Sequence, residues 1–388
     1  MKKKSILLAA VLSMTLFSLF STTNPKANTT SSETETISED AAEDSENTLV
    51  YDPENPMTSY QLQGFLSTNK EKTFIIPSGT TLYVTQVIDI GDNTTIIADG
   101  ATICQTADGK GVLKHIVDGG KYNSIKNITI IGGTWKNQKN TSGCTMFRFA
   151  HGKNLKFKNV DIRSNYQGHG LELIACKNVI VENCTIIAEN EKTKSFSVHE
   201  EALQIDVASP LTSPGILREG GKKSYVAGQT CQNITVKDCT ISGARGICAN
   251  FTHNEQYMNR IHKNITITGC TVTAYTAEAI TLFNTVNCTV KNNTVKTYSK
   301  DKANSYSCGI HLLFMKKLKN VTKYKDIISG NKVYGNYAGI EVSSKLRSTR
   351  GPVTITNNTV YCKQGKDRCI RAFFCKKTTT SKNKIKKW

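Results

Sequence analysis

Glu172, Glu201 and Asp206 fall in two short segments of like form, HGLELI (169–174) and EALQID (201–206). Two carboxyl groups flanking a sugar linkage can supply a general acid and a base or nucleophile, which is the chemistry of glycoside hydrolysis. Groups suited to holding a sugar accompany them. His169 and Gln204 lie in the same segments, and Arg245 and Asn250 in RGICAN (245–250). Glu278 and His311 occupy later segments of the same form, and His253 follows in the loop after RGICAN. Amides and carboxylates meet hydroxyls, while Arg245 favours an anionic group. Glu172, Glu201 and Asp206 are therefore the expected catalytic residues, and the other seven the expected substrate-binding residues. No metal site or cofactor is expected; a lyase mechanism would bring in Ca²⁺, yet no cluster of three aspartates is present to hold it.

A repeat has to bring these residues together. The segments NLKFKNVDI (154–162), NVIVENCTI (178–186), NITVKDCTI (233–241), NITITGCTV (264–272) and NCTVKNNTV (287–295) share one pattern. It continues through KDIISGNKV (325–333), PVTITNNTV (352–360) and KTTTSKNKI (377–385), with starts 23 to 55 residues apart. Each alternates with period two, as a strand with one buried face does. The seventh position holds Cys184, Cys239, Cys270, Asn293, Asn331, Asn358 and Asn383. A short thiol or amide recurring at one turn of every coil suits a stacked ladder, so these cysteines are expected inward and unpaired.

A second strand precedes each of these segments: TMFRFA (145–150), HGLELI, EALQID, RGICAN, EAITLF (278–283), CGIHLL (308–313), AGIEVS (338–343) and CIRAF (369–373). Their third and fifth columns are apolar and point inward. The fourth then points outward, and contains Arg148, Glu172, Gln204, Cys248, Thr281, His311 and Glu341. The sixth adds Asp206 and Asn250, and the first His169, Glu201, Arg245 and Glu278. Successive coils of a parallel stack lie about 4.8 Å apart, so these columns form one polar strip. Glu172 and Asp206 are then about 8 Å apart at the backbone, nearer the inverting than the retaining arrangement. Long insertions at 187–200 and 208–231 are expected to wall the strip, with His253 and Tyr257 closing the other side. The opposite outward face, rich in Lys, Asn and Thr, offers no chemistry.

Stacked units of this kind resemble the right-handed parallel β-helix of the pectate-lyase-like superfamily, over roughly residues 58–388. The resemblance implies an all-β, single-stranded solenoid, and SYQLQGFLSTN (59–69) fits the amphipathic helix that covers the open N-terminal end. QGHGLEL (167–173) resembles the Gly-His-Gly of the polygalacturonase family in three residues. That family's Asn-Thr-Asp, paired-Asp and Arg-Ile-Lys motifs are not found in the expected order, so its catalytic residues are not transferred. The strip as a whole is similar to secreted Gram-positive β-helix proteins with glycosidase-like sites.

The ends and the charge set the context. MKKKSILLAAVLSMTLFSLF has the form of a secretory signal peptide, assigned to 1–27, and residues 28–57 read as an acidic Ser/Thr-rich linker. No later stretch is apolar enough to span a bilayer. Four lysines and seven acidic residues lie in the first fifty, so the remainder carries a net charge of +22. A basic exported domain suits an anionic polysaccharide, glycan or surface, whereas export and the lack of a nucleic-acid module argue against nucleic acid. The thirteen cysteines are odd in number; only Cys362, Cys369 and Cys375 are placed to form a C-terminal disulfide. Trp135 is expected to be structural. The expectation is a secreted, monomeric glycoside hydrolase acting on a polysaccharide. The alternatives are a polysaccharide lyase and a non-catalytic glycan-binding surface protein.

Overall fold

A computed structural model of the chain describes residues 47–388 except 140, 143, 166–167, 189–199 and 301–306. The expected signal peptide and the linker up to residue 46 lie outside the described residues. Thr48–Val50 pairs in parallel with Lys72–Ile75, so strand pairing already begins within the stretch read as linker. Among the described residues, no helix is long and apolar enough to cross a membrane.

The described strands form three parallel sheets of 13, 11 and 10 strands, stacked in chain order. The chain is a right-handed parallel β-helix. Sheet 1 carries the ITI-type segments and sheet 2 the strands directly after the Cys/Asn turn. Sheet 3 carries the EALQID-type strands. Inside the coils, like stacks on like: Leu155, Val179, Ile234 and Ile265 are in register in sheet 1. Leu171, Leu203, Ile247, Ile280, Ile310 and Ile340 follow one another in sheet 3. Every one of these side chains is buried. Each contributes about 1.5–3 kcal/mol through the hydrophobic effect.

The turn between sheets 1 and 2 is a ladder across coils. The Cys184 amide donates to Cys239 Sγ (3.4 Å), that of Cys239 to Cys270 Sγ (3.4 Å), and that of Cys270 to Asn293 Oδ1 (2.8 Å). Asparagine then carries it on through Asn331, Asn358 and Asn383. All thirteen thiols are free, Cys362, Cys369 and Cys375 among them. A second ladder runs outside. Asn93, Asn127, Asn154, Asn178, Asn233, Asn264 and Asn287 open the sheet 1 segments in the left-handed conformation that asparagine tolerates. Each amide from Asn127 onward donates to the carbonyl oxygen of the one before it, at 2.7–3.2 Å.

Helix α1 (Ser59–Leu66) covers the first coil. Thr58 and Gln61 form a reciprocal capping box, while Leu62 and Leu66 are buried against the core. Trp135 is buried, its Nε1–H donating to the Gly132 carbonyl at 3.0 Å.

Candidate functional site

The register of sheet 3 sets the expected columns side by side. Arg148, Glu172, Gln204, Cys248, Thr281, His311 and Glu341 are successive neighbours, and Ile174 pairs with Asp206. Glu201 pairs with Arg245. The polar strip therefore exists on the outer face of this sheet. It differs from expectation in being covered. Glu201 is 3% exposed, Asp206 1%, and Glu172, Arg245, Glu278 and His311 are also buried.

Part of the cover is the insertion after Asp206. Helix α2 (Pro214–Arg218) and the turn Lys223–Val226 bring Ile216 and Val226 onto Ala150, Ile174 and Ala175 of the strip's flank. Glu219 holds the insertion down through Arg148 (3.5 Å) and Lys114 (3.6 Å). Gly215 lies so close to the Arg148 guanidinium that a Cβ there would stand 2.5 Å from Nη1. Tyr257 packs against Gly228 of the same insertion, so the two loops meet each other. Of the other expected wall, residues 189–199 lie outside the described residues.

Burial forces the charges to pair, and they do so in alternation along the stack. Glu172 Oε2 meets Arg148 Nε at 3.2 Å. Further on, Arg245 bridges Glu201 (3.2 Å) and Glu278 (3.1 Å); His311 stands between Glu278 (3.3 Å) and Glu341 (3.7 Å), and Arg371 closes on Glu341 (2.9 Å). Burial alone would raise the Glu278 carboxyl, but the His311 hydrogen bond and the Arg245 charge outweigh it and bring it below its usual range. His169 Nδ1–H donates to the Glu201 carbonyl oxygen at 2.9 Å, with the Glu201 carboxylate 3.6 Å away.

Asp206 is the exception in this column of compensated charge. No cation is paired with it among the described residues, and its Oδ1 has no hydrogen-bond partner. Burial, and then the nearby Glu172 and Glu201 charges, hold its carboxyl well above the ordinary range despite a hydrogen bond with Asn250. Gln204 Oε1 and Thr281 Oγ1 are likewise unsatisfied. Gln204 and Asn250 are half-buried, so the strip reaches solvent through them. His253 does not join the strip: it is exposed and packs edge-on to Phe251, 4.6 Å between ring centres. Sequence reasoning overlooked His262, which is buried at the end of the same coil. Its Nδ1 accepts from the Cys231 amide (3.1 Å) and its Nε2–H donates to the Asn250 carbonyl (2.8 Å), positioning the chain at Asn250. The stacked partners Cys176 and Cys231 offered the signal, since His262 occupies the next place in their column. Among the described residues, no three metal-ligating side chains converge as a donor set.

Known proteins resemble this one chiefly in fold. A family model described as a protein of unknown function, DUF1565, matches residues 212–368. The plasmin and fibronectin-binding protein A of Streptococcus pneumoniae is 29% identical over 102 residues, 26% of this chain and 13% of that protein. The chain thus spans only a small part of that relative. The crystal structure of PfbA, a surface adhesin of S. pneumoniae, superposes with a TM-score of 0.53 at 14% identity, covering 84% of this chain and 87% of that one. The A-module of the Azotobacter vinelandii mannuronan C-5 epimerase AlgE6 gives 0.49 at 11% identity, covering 84% and 94%. The likeness to PfbA shows the fold, and activity has to be argued from the site.

Proposed function

We propose that the protein is an exported glycoside hydrolase whose general acid is Asp206 and whose base is Glu172, both on the outer face of sheet 3. The observation that carries this reading is the contrast between the two carboxyls: Asp206 is buried without a cation, which raises its carboxyl well above the usual range, and Glu172 is ion-paired with Arg148. Two neighbouring carboxyls in environments that separate their protonation states are the arrangement acid–base hydrolysis needs. Asp206 gives its proton to the glycosidic oxygen as the bond to the anomeric carbon breaks. Glu172 takes a proton from the water that attacks that carbon from the opposite side. Their offset of one coil and two residues, about 8 Å at the backbone, leaves room for that water and implies inversion. Gln204, Asn250 and His169 supply hydroxyl contacts. Glu201, bound to Arg245 and His169, is a positioning residue. A substrate reaches Asp206 only when the 207–230 insertion lifts. The substrate class is a polysaccharide or surface glycan, met outside the cell.

A second reading, a glycan- or surface-binding β-helix without turnover, is favoured by one observation: Asp206 is only 1% exposed. The relative named as a plasmin and fibronectin-binding protein is compatible with it. One experiment separates the readings. The purified protein is incubated with a panel of neutral and acidic glycans, scoring new reducing ends and the absorbance of unsaturated uronates. Reducing ends alone are the expected result; unsaturated products would indicate a lyase, and retention without cleavage a binding protein.

A further inference from the structure

Sheet 2 carries a feature at its C-terminal end that the Lys/Asn/Thr reading of the outward faces did not anticipate. Lys296, Tyr334, Tyr361 and Lys386 are successive neighbours on its outer face. The two tyrosine rings stack at 4.4 Å and 10°, and Trp388 meets Tyr334 edge-on at 5.5 Å. Ammonium groups are laid over these rings. Lys296 Nζ is 4.2 Å from the centre of Tyr298 and 5.7 Å from that of Trp388. Lys363 lies 4.2 Å over Trp388, Lys332 5.5 Å over Tyr334 and Lys386 5.7 Å over Tyr361. Among the described residues none of these lysines is paired with a carboxylate, including Asp367 in the adjoining turn. Lysine side chains ordinarily lose rotamer freedom on binding an anion; here the rings already bias them toward one arrangement.

We propose that this lysine–aromatic ridge is a binding surface for a linear sulfated polysaccharide lying along the helix axis. Three arguments choose the partner. First, an array of unpaired cations calls for a polyanion. Second, rungs about 4.8 Å apart match the length of one pyranose residue, so each sugar meets one coil. The strands at 294–297, 332–335, 359–362 and 384–387 and the turn after the third bring Lys296, Lys332, Lys363, Lys384 and Lys386 to four coils. That exceeds one cation per sugar, a density that suits sulfation better than a lone carboxylate. Third, the ring faces are taken up by one another and by ammonium groups, so bases of a single-stranded nucleic acid have no free face to stack on. The ridge is separate from the sheet 3 strip and does not depend on its chemistry.

The test is binding of the full-length protein to heparin at 0.15 M salt, by calorimetry or biosensor. Lys296→Gln/Lys332→Gln/Lys386→Gln is compared with Lys153→Gln/Lys156→Gln/Lys291→Gln, the same charge change on sheet 1. All six lysines are at least partly exposed, and circular dichroism checks that both variants fold. The ridge variant is expected to weaken heparin binding at least about tenfold, and the sheet 1 variant to change it less than about twofold. Replacing the three ridge lysines by Arg should restore binding. Equal losses in the two Gln variants would overturn the proposal in favour of a diffuse basic coat. So would a single-stranded oligonucleotide bound as tightly as heparin and lost in the same ridge variant.

Discussion

Glu201 and Asp206 begin and end one strand, and their surroundings give them opposite characters. Glu201 has Arg245 at 3.2 Å and His169 beside it, while Asp206 has no cation and an unsatisfied Oδ1. Their outward direction suggested that either could be neutralised without cost to folding, but burial changes that for Glu201. Glu201→Gln removes one of the carboxylates paired with the buried Arg245 guanidinium, and should cost about 3 kcal/mol in urea denaturation. Asp206→Asn removes no charge that the fold relies on. The sign follows from linkage. A carboxyl whose folded pKa is raised adds stability that is complete below its unfolded pKa and lost as pH rises through the folded value. The stability of the wild type relative to Asp206→Asn should therefore fall as pH rises from the unfolded carboxyl value of about 3.9 toward the raised folded one; a pH-independent difference would show that the Asp206 carboxyl is not raised.

At the scale of the coil, the ladder between sheets 1 and 2 is a shared hydrogen-bond system. Asn331 Oδ1 accepts from both the backbone and side-chain amides of Asn293, and its Nδ2 donates to the Val290 carbonyl. Asn331→Leu leaves these groups unpaired and should cost about 1–3 kcal/mol, with activity per folded molecule intact. Cys184, Cys239 and Cys270 should react with a thiol reagent only in denaturant, since all three are buried. This layer was legible in the sequence because it is periodic: an inward column must repeat, and the Cys-to-Asn succession shows it. The columns of sheet 3 were legible for the same reason. From HGLELI to AGIEVS their second place also holds only Gly or Ala, as at Gly246, where a Cβ would stand 2.3 Å from Val272. The insertion 208–231 was legible as a wall of the strip, but the closeness of its cover was not. That cover rests on Ile216, Val226 and Glu219, three residues of an insertion that occurs once, and a single insertion has no period to reveal where it docks. The tyrosine ridge did leave a trace, Tyr334 and Tyr361 at matching places in NKVYG and NTVYC, beyond the segments whose repetition was followed. Because Glu219 is half exposed, Glu219→Gln should barely alter global stability yet speed amide hydrogen exchange across 207–230.

Over the whole molecule, buried neutral histidines make the fold acid-sensitive. Burial lowers His262 to about 4 and His115 to about 3. Stability from such depressed groups is present above the unfolded histidine pKa of about 6.5 and is lost as pH falls toward the folded values. For His262 this is about 3 kcal/mol between pH 6.5 and 4, and His262→Gln should flatten that part of the stability–pH curve. The stacked core spreads stability along the solenoid, while the proposed chemistry is confined to one strip of one sheet. Turnover and stability can therefore be separated by a single isosteric change, and Asp206→Asn is the change that does so. Measured at pH 7 on a glycan that the wild type cleaves, it should lower turnover by about 10²–10⁴-fold. Its denaturation midpoint should equal or exceed that of the wild type. Wild-type turnover in a folded Asp206→Asn protein would contradict the account.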